Sequence, residues 1–394
     1  MTSRILHVSG DFPDVIAPFK TPVIKGLLEL TSGAFDHEVV SINRVSPGVL
    51  SFASSILSKS SVVQNQRPFE HGTALEYLAP GRGLFHRTML DRLGEHLASL
   101  VSAQDPPVDL IVGHKLTIEG IAVAKAANLT GLPYALTIQG NTDRRILKAR
   151  PDLKRLFRQI YEGAQMVCTF TPIARNAIER ALGKRSDGIH LIPCPTELDK
   201  VVKPKVAGGD VISVFHLKNH EVKNLRGLAE AASLIQGPEG DRSITIIGGG
   251  NEAETAHCKK LTAQSKQFRF AGPVTRDKMQ QTMNDACVLV VPSKAESFGL
   301  VFVEALFAGL PIIYPKGTAI DGYFEGLPFA QGVDASSPSA IAEAIKKAIR
   351  GESEMKHALS QWQQSPAAEV FTRSSIAQRY EKALENALIR PALS

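Results

Sequence analysis

Short apolar runs that end in a glycine or a turn, each followed by a segment of helical spacing, recur along this chain and limit its fold more than any other feature. RILHVSG is such a run, and TPVIKGLLELTSG after it carries apolar residues at helical spacing and stops at Gly33. HEVVSIN, VDLIVGH, PYALTIQG, QMVCTFT and GIHLIPCP repeat the strand pattern, and LFHRTMLDRLGEHLASLVSA, IEGIAVAKAANLTG and PIARNAIERALG repeat the helical one. Such alternation predicts an α/β chain with a mainly parallel sheet covered by helices on both faces. After Pro204, KVAGGD forms a glycine-containing link, and a second series opens with VISVFHL. Its strands ITIIGG, QFRFAG, CVLVVP and PIIYP alternate with helices expected over 224–234, 252–264, 276–284, 300–308 and 339–350, and a last helix is expected over 374–388. A chain of 394 residues exceeds what one core organises. The expected division is therefore a doubly wound domain over 1–207, a second over 208–368, and a C-terminal helical segment over 369–394 that can pack back on the first. Two such units joined by a hinge are expected to take a ligand at the carboxyl ends of their strands.

Composition excludes several classes. A hydrophobic fraction of 43% and a charged fraction of 21% are those of a folded globular chain. No apolar run approaches the roughly 18 residues that span a bilayer, and the apolar stretch before Asp11 is too short for a signal peptide. The expected location is the cytoplasm. Cys168, Cys194, Cys258 and Cys287 have no spacing suited to a metal and read as buried free thiols. The net charge of +6 lies entirely in residues 1–207, which hold 25 Lys and Arg against 19 Asp and Glu. Much of it comes from residues 141–160, where Arg144, Arg145, Lys148, Arg150, Lys154, Arg155 and Arg158 face only Asp143 and Asp152. Their apolar neighbours recur at helical spacing, in a pattern broken or restarted at Pro151. A basic amphipathic helix fits peripheral contact with anionic lipid at the inner face of the cell membrane, and a solvated helix face fits the same pattern. Nucleic acid is disfavoured, because no aromatic platform accompanies the charge.

The chemistry is concentrated in residues 286–315, ACVLVVPSKAESFGLVFVEALFAGLPIIYP, which read as strand, loop, helix, strand. Ser297 is expected to cap a helix starting at Phe298 or Gly299, and Gly309 with Pro311 to end it. The amides of Phe298, Gly299 and Leu300 would then offer a helix N-terminus to an anion such as a diphosphate. Glu296 lies just before the helix and Glu304 on it, so the two carboxylates can serve different ends of one ligand. Glu304, flanked by apolar residues, needs a hydroxyl or cationic partner. Gly248 and Gly249 end the strand ITIIGGG and permit either close approach to a ligand or a tight turn.

PSKAESFGLVFVEALFAGLPII resembles the E-x7-E signature of the retaining glycosyltransferases of family 4, and the resemblance extends through most of 211–350. It implies a GT-B fold: two Rossmann-like domains facing each other across a cleft, the donor nucleotide sugar on the C-terminal one and the acceptor on the N-terminal one. By carry-over, Glu304 binds the ribose, Glu296 contacts the donor hexose, and the backbone at Ser297 to Leu300 lies near sugar and diphosphate. Lys223 matches the family's lysine that neutralises the leaving diphosphate. Where the family carries an arginine before it, this chain has His216 or Lys218, with Lys218 the expected substitute. In the first domain the family's glycine pair and histidine are replaced, leaving Gly10, Lys20, Gln139 and Gly140 as the acceptor-side candidates. Gln139 can donate a hydrogen bond but cannot titrate near neutrality. The resemblance further implies retention at the anomeric carbon, no divalent metal and no resident cofactor, UDP or GDP as the donor nucleotide, and a saccharide or lipid-linked glycan as acceptor, as in polysaccharide biosynthesis. Two alternatives remain open: another GT-B enzyme such as a nucleotide-sugar epimerase, and a non-catalytic protein that binds a nucleotide sugar without transferring it.

Overall fold

The computed structural model describes residues 2–46, 62–80, 83–206 and 208–389. The chain divides into two compact units, the first comprising Met1–Phe170, Ala174–Cys194 and Ile376–Ser394, the second Thr171–Ile173 and Pro195–Ser375. The second unit thus begins at Pro195, ahead of the glycine link at 208 where the sequence pattern set the boundary. The reason lies in the segment after Pro195. Val202 N–H donates to the Phe307 carbonyl at 2.8 Å, and the side-chain amides of Gln280, Asn284 and Gln363 hold the carbonyls of Lys200, Lys203 and Val202.

The first unit is built on an eight-stranded sheet: β1 (Arg4–Ser9), β2 (Asp36–Val45), β3 (Val63–Phe69), β4 (Gly72–Leu78), β5 (Leu110–Gly113), β6 (Tyr134–Ile138), β7 (Met166–Thr169) and β8 (Ile189–Leu191). Their order across the sheet is β3-β4-β2-β1-β5-β6-β7-β8, and every pair is parallel except β3 with β4. Helices α1 (Val23–Thr31), α2 (His86–Ser102), α3 (Glu119–Thr130), α4 (Asn141–Ala149), α5 (Lys154–Gly163) and α6 (Pro172–Leu182) connect the strands. Leu93, Leu97, Ile121, Leu136, Phe157 and Val167 are among the buried residues of one continuous core. The β3–β4 hairpin is absent from the sequence reading. VQNQRPF has no apolar run and carries Pro68, which is acceptable because β3 lies at the sheet edge.

The second unit carries a six-stranded, all-parallel sheet of β9 (Val211–Val214), β10 (Ile244–Ile247), β11 (Phe268–Gly272), β12 (Val288–Val290), β13 (Ile312–Pro315) and β14 (Ala330–Val333), ordered β11-β10-β9-β12-β13-β14. Its helices are α7 (Leu225–Ser233), α8 (Glu252–Thr262), α9 (Arg276–Asn284), α10 (Leu300–Phe307), α11 (Pro338–Arg350), α12 (Glu352–Gln363) and the short α13 (Pro366–Glu369). Strand β14 and helix α12 are further additions to the sequence reading. Helix α14 (Arg373–Ile389) starts in the second unit and from Ile376 belongs to the first.

All four cysteines are free and buried. No described helix is long and apolar enough to cross a membrane.

Candidate functional site

In an open parallel sheet, the strand order reverses at one point, and the loops leaving the two strands there diverge to open a crevice. In the second unit that point lies between β9 and β12. The loop after β9 carries His216, Lys218 and Lys223, and the loop after β12 carries Glu296. The two loops are joined: Lys294 N–H donates to the Val222 carbonyl at 2.8 Å, and the Lys223 ammonium donates to Glu296 Oε2. Ser293 Oγ donates to the same Oε2 at 3.4 Å. The loop after β13 clamps Glu296 from the other side, its backbone N–H donating to Thr318 Oγ1 at 3.1 Å and its carbonyl accepting from that hydroxyl at 2.6 Å. Both side chains of the Lys223–Glu296 pair remain partly exposed, at 16% and 17%. The pair is therefore fixed by its surroundings yet reachable.

Helix α10 begins at Leu300 with Gly299 as its N-cap, in the left-handed region at φ +83°. Ser297 is not the cap, since no side chain caps this helix. The turn depends on glycine instead: a Cβ at Gly299 would lie 2.7 Å from the Phe302 ring and 3.2 Å from Glu296 Cγ. The Phe298 side chain is buried.

Glu304 sits on the second turn of α10. Thr196 Oγ1, at the start of this unit, donates to its Oε1 at 2.7 Å. Burial raises the Glu304 pKa, while the Thr196 hydroxyl and the Arg276 charge oppose that rise and Glu197 adds to it. Thr196 went unnoticed in the sequence. It is 108 residues away, and no local pattern marks it.

The other expected groups fare unevenly. His216 and Lys218 are both exposed on a short 3₁₀ turn, where the Lys218 N–H donates to His216 Nδ1 at 3.2 Å. Lys218 has no ion pair among the described residues. Gly248, at φ +155°, is required by its own unit, because a Cβ there would meet the Phe215 carbonyl oxygen at 1.8 Å. Gly249 accepts the Leu217 N–H at 2.8 Å and leaves open space, its nearest neighbour being Pro273 at 3.9 Å.

In the first unit the order reverses between β1 and β5. Gly10 N–H donates to Glu119 Oε1 at 2.7 Å, and the Lys115 ammonium lies 2.6 Å from Asp11 Oδ2 and 3.6 Å from Glu119 Oε1. Asp11 is the exposed end of this cluster, with 30% of its side chain accessible. Neither Asp11 nor Lys115 stood out in the sequence, which offers no glycine or motif at HKLTIE. Gln139 donates to the His114 carbonyl at 3.0 Å, and Gly140 at φ +117° starts α4. Lys20 does not supply a free positive charge, because it is bound to Asp14 Oδ2 at 2.9 Å and to Ser41 Oγ at 3.0 Å. Asp14 is held below the usual carboxylate range: burial opposes ionisation, but hydrogen bonds from Ser41, Lys20, Asn43 and the Ala17 amide outweigh it.

Beneath this point runs a line of three histidines, His7 and His114 buried and His37 partly so. His114 Nε2 lies 3.0 Å from His7 Nδ1, His7 Nε2 lies 2.9 Å from His37 Nδ1, and His37 Nε2 lies 2.8 Å from Thr31 Oγ1. Among the described residues, no three His, Cys, Asp or Glu side chains gather in a way suited to a metal ion.

The family model for glycosyl transferases group 1 matches residues 199–364, and that for a glycosyl transferase 4-like domain matches residues 57–195. The chain belongs to the family 4-like glycosyltransferases. A D-inositol 3-phosphate glycosyltransferase of Corynebacterium jeikeium is 29% identical to it over 216 residues, covering 52% of this chain and 46% of the relative. A 2-deoxystreptamine glucosyltransferase of Streptomyces kanamyceticus is 26% identical over 235 residues, covering 52% and 59%. Both matches thus span about half the length of the relatives. Among solved structures, this glycosyltransferase resembles a sucrose-phosphate synthase from Thermosynechococcus elongatus, at TM-score 0.69 and 17% identity over 97% of this chain and 98% of that one. Anabaena HepE in complex with UDP and glucose gives a TM-score of 0.62 at 16% identity over 97% and 99%. The fold is GT-B, with two Rossmann-like domains.

Proposed function

We propose that the chain transfers a hexose from a nucleotide-diphosphate sugar to a hydroxyl of a saccharide, sugar phosphate or polyol, with retention at the anomeric carbon and without a metal ion. The observation that carries this reading is the pairing of two anchored carboxylates on and beside one helix N-terminus at the switch point of the second unit. Glu304, whose Oε1 is fixed by the Thr196 hydroxyl, suits the ribose diol. Glu296, fixed by Lys223 and Thr318, suits the donor hexose. Lys223 is then placed to shift from Glu296 to the diphosphate as negative charge builds on the leaving oxygen, assisted by the α10 amides. In front-side attack the departing phosphate oxygen takes the acceptor proton, so no protein nucleophile is required. On the acceptor side, Asp11, held by the buried Lys115, offers a partly exposed carboxylate to a hydroxyl-bearing substrate.

UDP is the favoured nucleotide because HepE is solved with it. Calorimetry with UDP, GDP and ADP in EDTA tests the reading. One nucleotide should bind selectively, and Glu304→Ala should weaken it by about tenfold or more, the loss of a charged hydrogen bond. Equal binding by the variant, or no nucleotide binding at all, removes the donor-site assignment.

We further propose peripheral contact of this enzyme with an anionic membrane. Arg144, Arg145, Lys148, Lys154, Arg155 and Arg158 are all exposed, and Arg150 reaches the Gly83 carbonyl at 3.0 Å beside the exposed Leu84 and Phe85. Charge next to exposed apolar side chains is the combination that binds a lipid interface. Sedimentation with vesicles rich in phosphatidylglycerol should be lost in 0.5 M salt, a condition in roughly the range where surface charge is screened, and in Arg144→Glu/Arg155→Glu. Neutral vesicles should not bind.

A further inference from the structure

The loop that leaves β1 carries the most exposed large apolar side chain among the described residues. Phe19 is 97% accessible, and it lies in the same loop as Asp11, on the switch-point edge of the first sheet. A single exposed phenylalanine is ordinary; the way this one is held is not. The Ala17–Lys20 turn that bears it is closed by the Lys20 N–H on the Ala17 carbonyl at 3.4 Å. Asp14, its side chain fully buried, accepts from the N–H groups of Ile16 and Ala17, both at 2.7 Å, and from the Lys20 ammonium and the Asn43 amide, both at 2.9 Å. Ser41 Oγ then gathers both arms of the loop, lying 2.9 Å from the Phe12 carbonyl and 3.0 Å from the Lys20 ammonium. The residues adjoining Asp11 and Phe19 therefore meet at one hydroxyl. The Phe12 ring anchors the loop further, packing on Phe69 and His71 of the β3–β4 hairpin with centroids 5.9 and 5.4 Å apart.

The charges of this edge narrow the ligand. Lys20 is paired with Asp14, and Lys115 with Asp11 and the fully buried Glu119. The loop is left with an aromatic face and a partly exposed carboxylate. Those two groups suit a ring that has an apolar C–H face and hydroxyls to donate. A phosphate would instead meet Asp11 in a loop whose lysine is already paired.

We propose that Phe19 is a specificity-determining contact of the transfer: its ring covers the C–H face of an uncharged sugar or cyclitol acceptor, while Asp11 accepts a hydrogen bond from one of that ring's hydroxyls. The inference rests on the acceptor-side role proposed for Asp11. Because the turn is fixed before binding, little ordering cost opposes so small a contact.

Saturation-transfer NMR on the full-length protein tests this without donor or turnover, and calorimetry with UDP reports on the donor site separately. Methyl β-D-glucopyranoside, methyl α-D-mannopyranoside, N-acetylglucosamine and myo-inositol are compared with glucose 6-phosphate. At least one neutral ring should be saturated, most strongly at the C–H protons of one face, and should bind more tightly than the phosphate ester. In Phe19→Ala its Kd should rise about tenfold, the effect of losing roughly half of a buried phenylalanine surface, and Phe19→Tyr should restore it. A melting curve checks that both variants are folded. A panel in which no neutral ring is saturated, a Kd unchanged in Phe19→Ala, or tighter binding of glucose 6-phosphate overturns the proposal. A Phe19→Ala variant that loses affinity for phosphatidylglycerol vesicles and not for the sugar overturns it in favour of a lipid contact.

Discussion

Glu296 and Lys223 form an ion pair that the surrounding loops hold together, and its energetic meaning depends on what else is present. With both side chains only about one-sixth accessible, each charge is partly desolvated and compensates the other. A donor diphosphate offers Lys223 a stronger partner, so the lysine acts on the state in which the leaving group carries most charge. Lys223→Met should therefore lower kcat for transfer by about 10²–10³, the loss reported for single electrostatic donors at developing oxyanions, with a smaller change in donor KM. Steady-state kinetics over a range of donor concentrations checks the split. At this scale the sequence was informative where contacts are local. The eight-residue spacing of Glu296 and Glu304 and the lysine after β9 were legible, but the cap was assigned to Ser297, whereas the backbone uses Gly299 at φ +83°. Thr196 and Asp11–Lys115 were not legible, because their partners lie about a hundred residues away in the chain.

Elements behave the same way. Helix α12, which the sequence reading did not contain, fastens three parts of the second unit through one residue. The Lys356 ammonium is buried and donates to the carbonyls of Lys205 and of Ala286, the latter at 2.8 Å, and pairs with Glu352 at 2.9 Å. It thereby ties the link into the unit, the approach to β12 and the helix itself. Lys356→Met removes the cation of this buried pair and the donor to two carbonyls, so the unit should lose about 3–5 kcal/mol in denaturant unfolding. Lys346→Met, on the more accessible pair with Glu343, should cost about 1 kcal/mol or less. The basic segment shows a second tertiary effect. The break at Pro151 itself is local and was legible in the sequence: Arg150 adopts φ −126° ahead of the proline and separates α4 from α5. Asp143, expected as one of two compensating acids, is instead buried and accepts from the Thr117 N–H and hydroxyl at 2.8 and 2.7 Å. The exposed face is more basic for that reason.

For the whole molecule, the buried histidine line sets a pH limit. Burial, together with repulsion from His37 and His114, holds His7 well below its ordinary value; burial brings His37 to about 4; and burial with the Lys115 charge brings His114 to about 3. The lowered pKa values keep all three rings neutral near pH 7 in the folded state. The unfolded chain binds protons on these rings below about pH 6.5, and the folded chain does not until pH falls toward 4. Their contribution is thus complete above pH 6.5 and is lost as pH falls from 6.5 to 4, at up to about 1.4 kcal/mol per pH unit for each ring. Urea unfolding at pH 7.0, 6.0 and 5.0 should show this decline, and His37→Gln should flatten it. The sequence by itself determined the α/β class, the two series of strands and helices and the motif after β12, because period, glycine turns and short spacings are properties of neighbouring residues. Only the tertiary structure decided the strand orders, and with them which loops stand at the two switch points, where the first domain ends, and which distant side chains complete Glu304 and Gly10. Those contacts join residues far apart in the chain, and no local pattern encodes which strand will lie beside which.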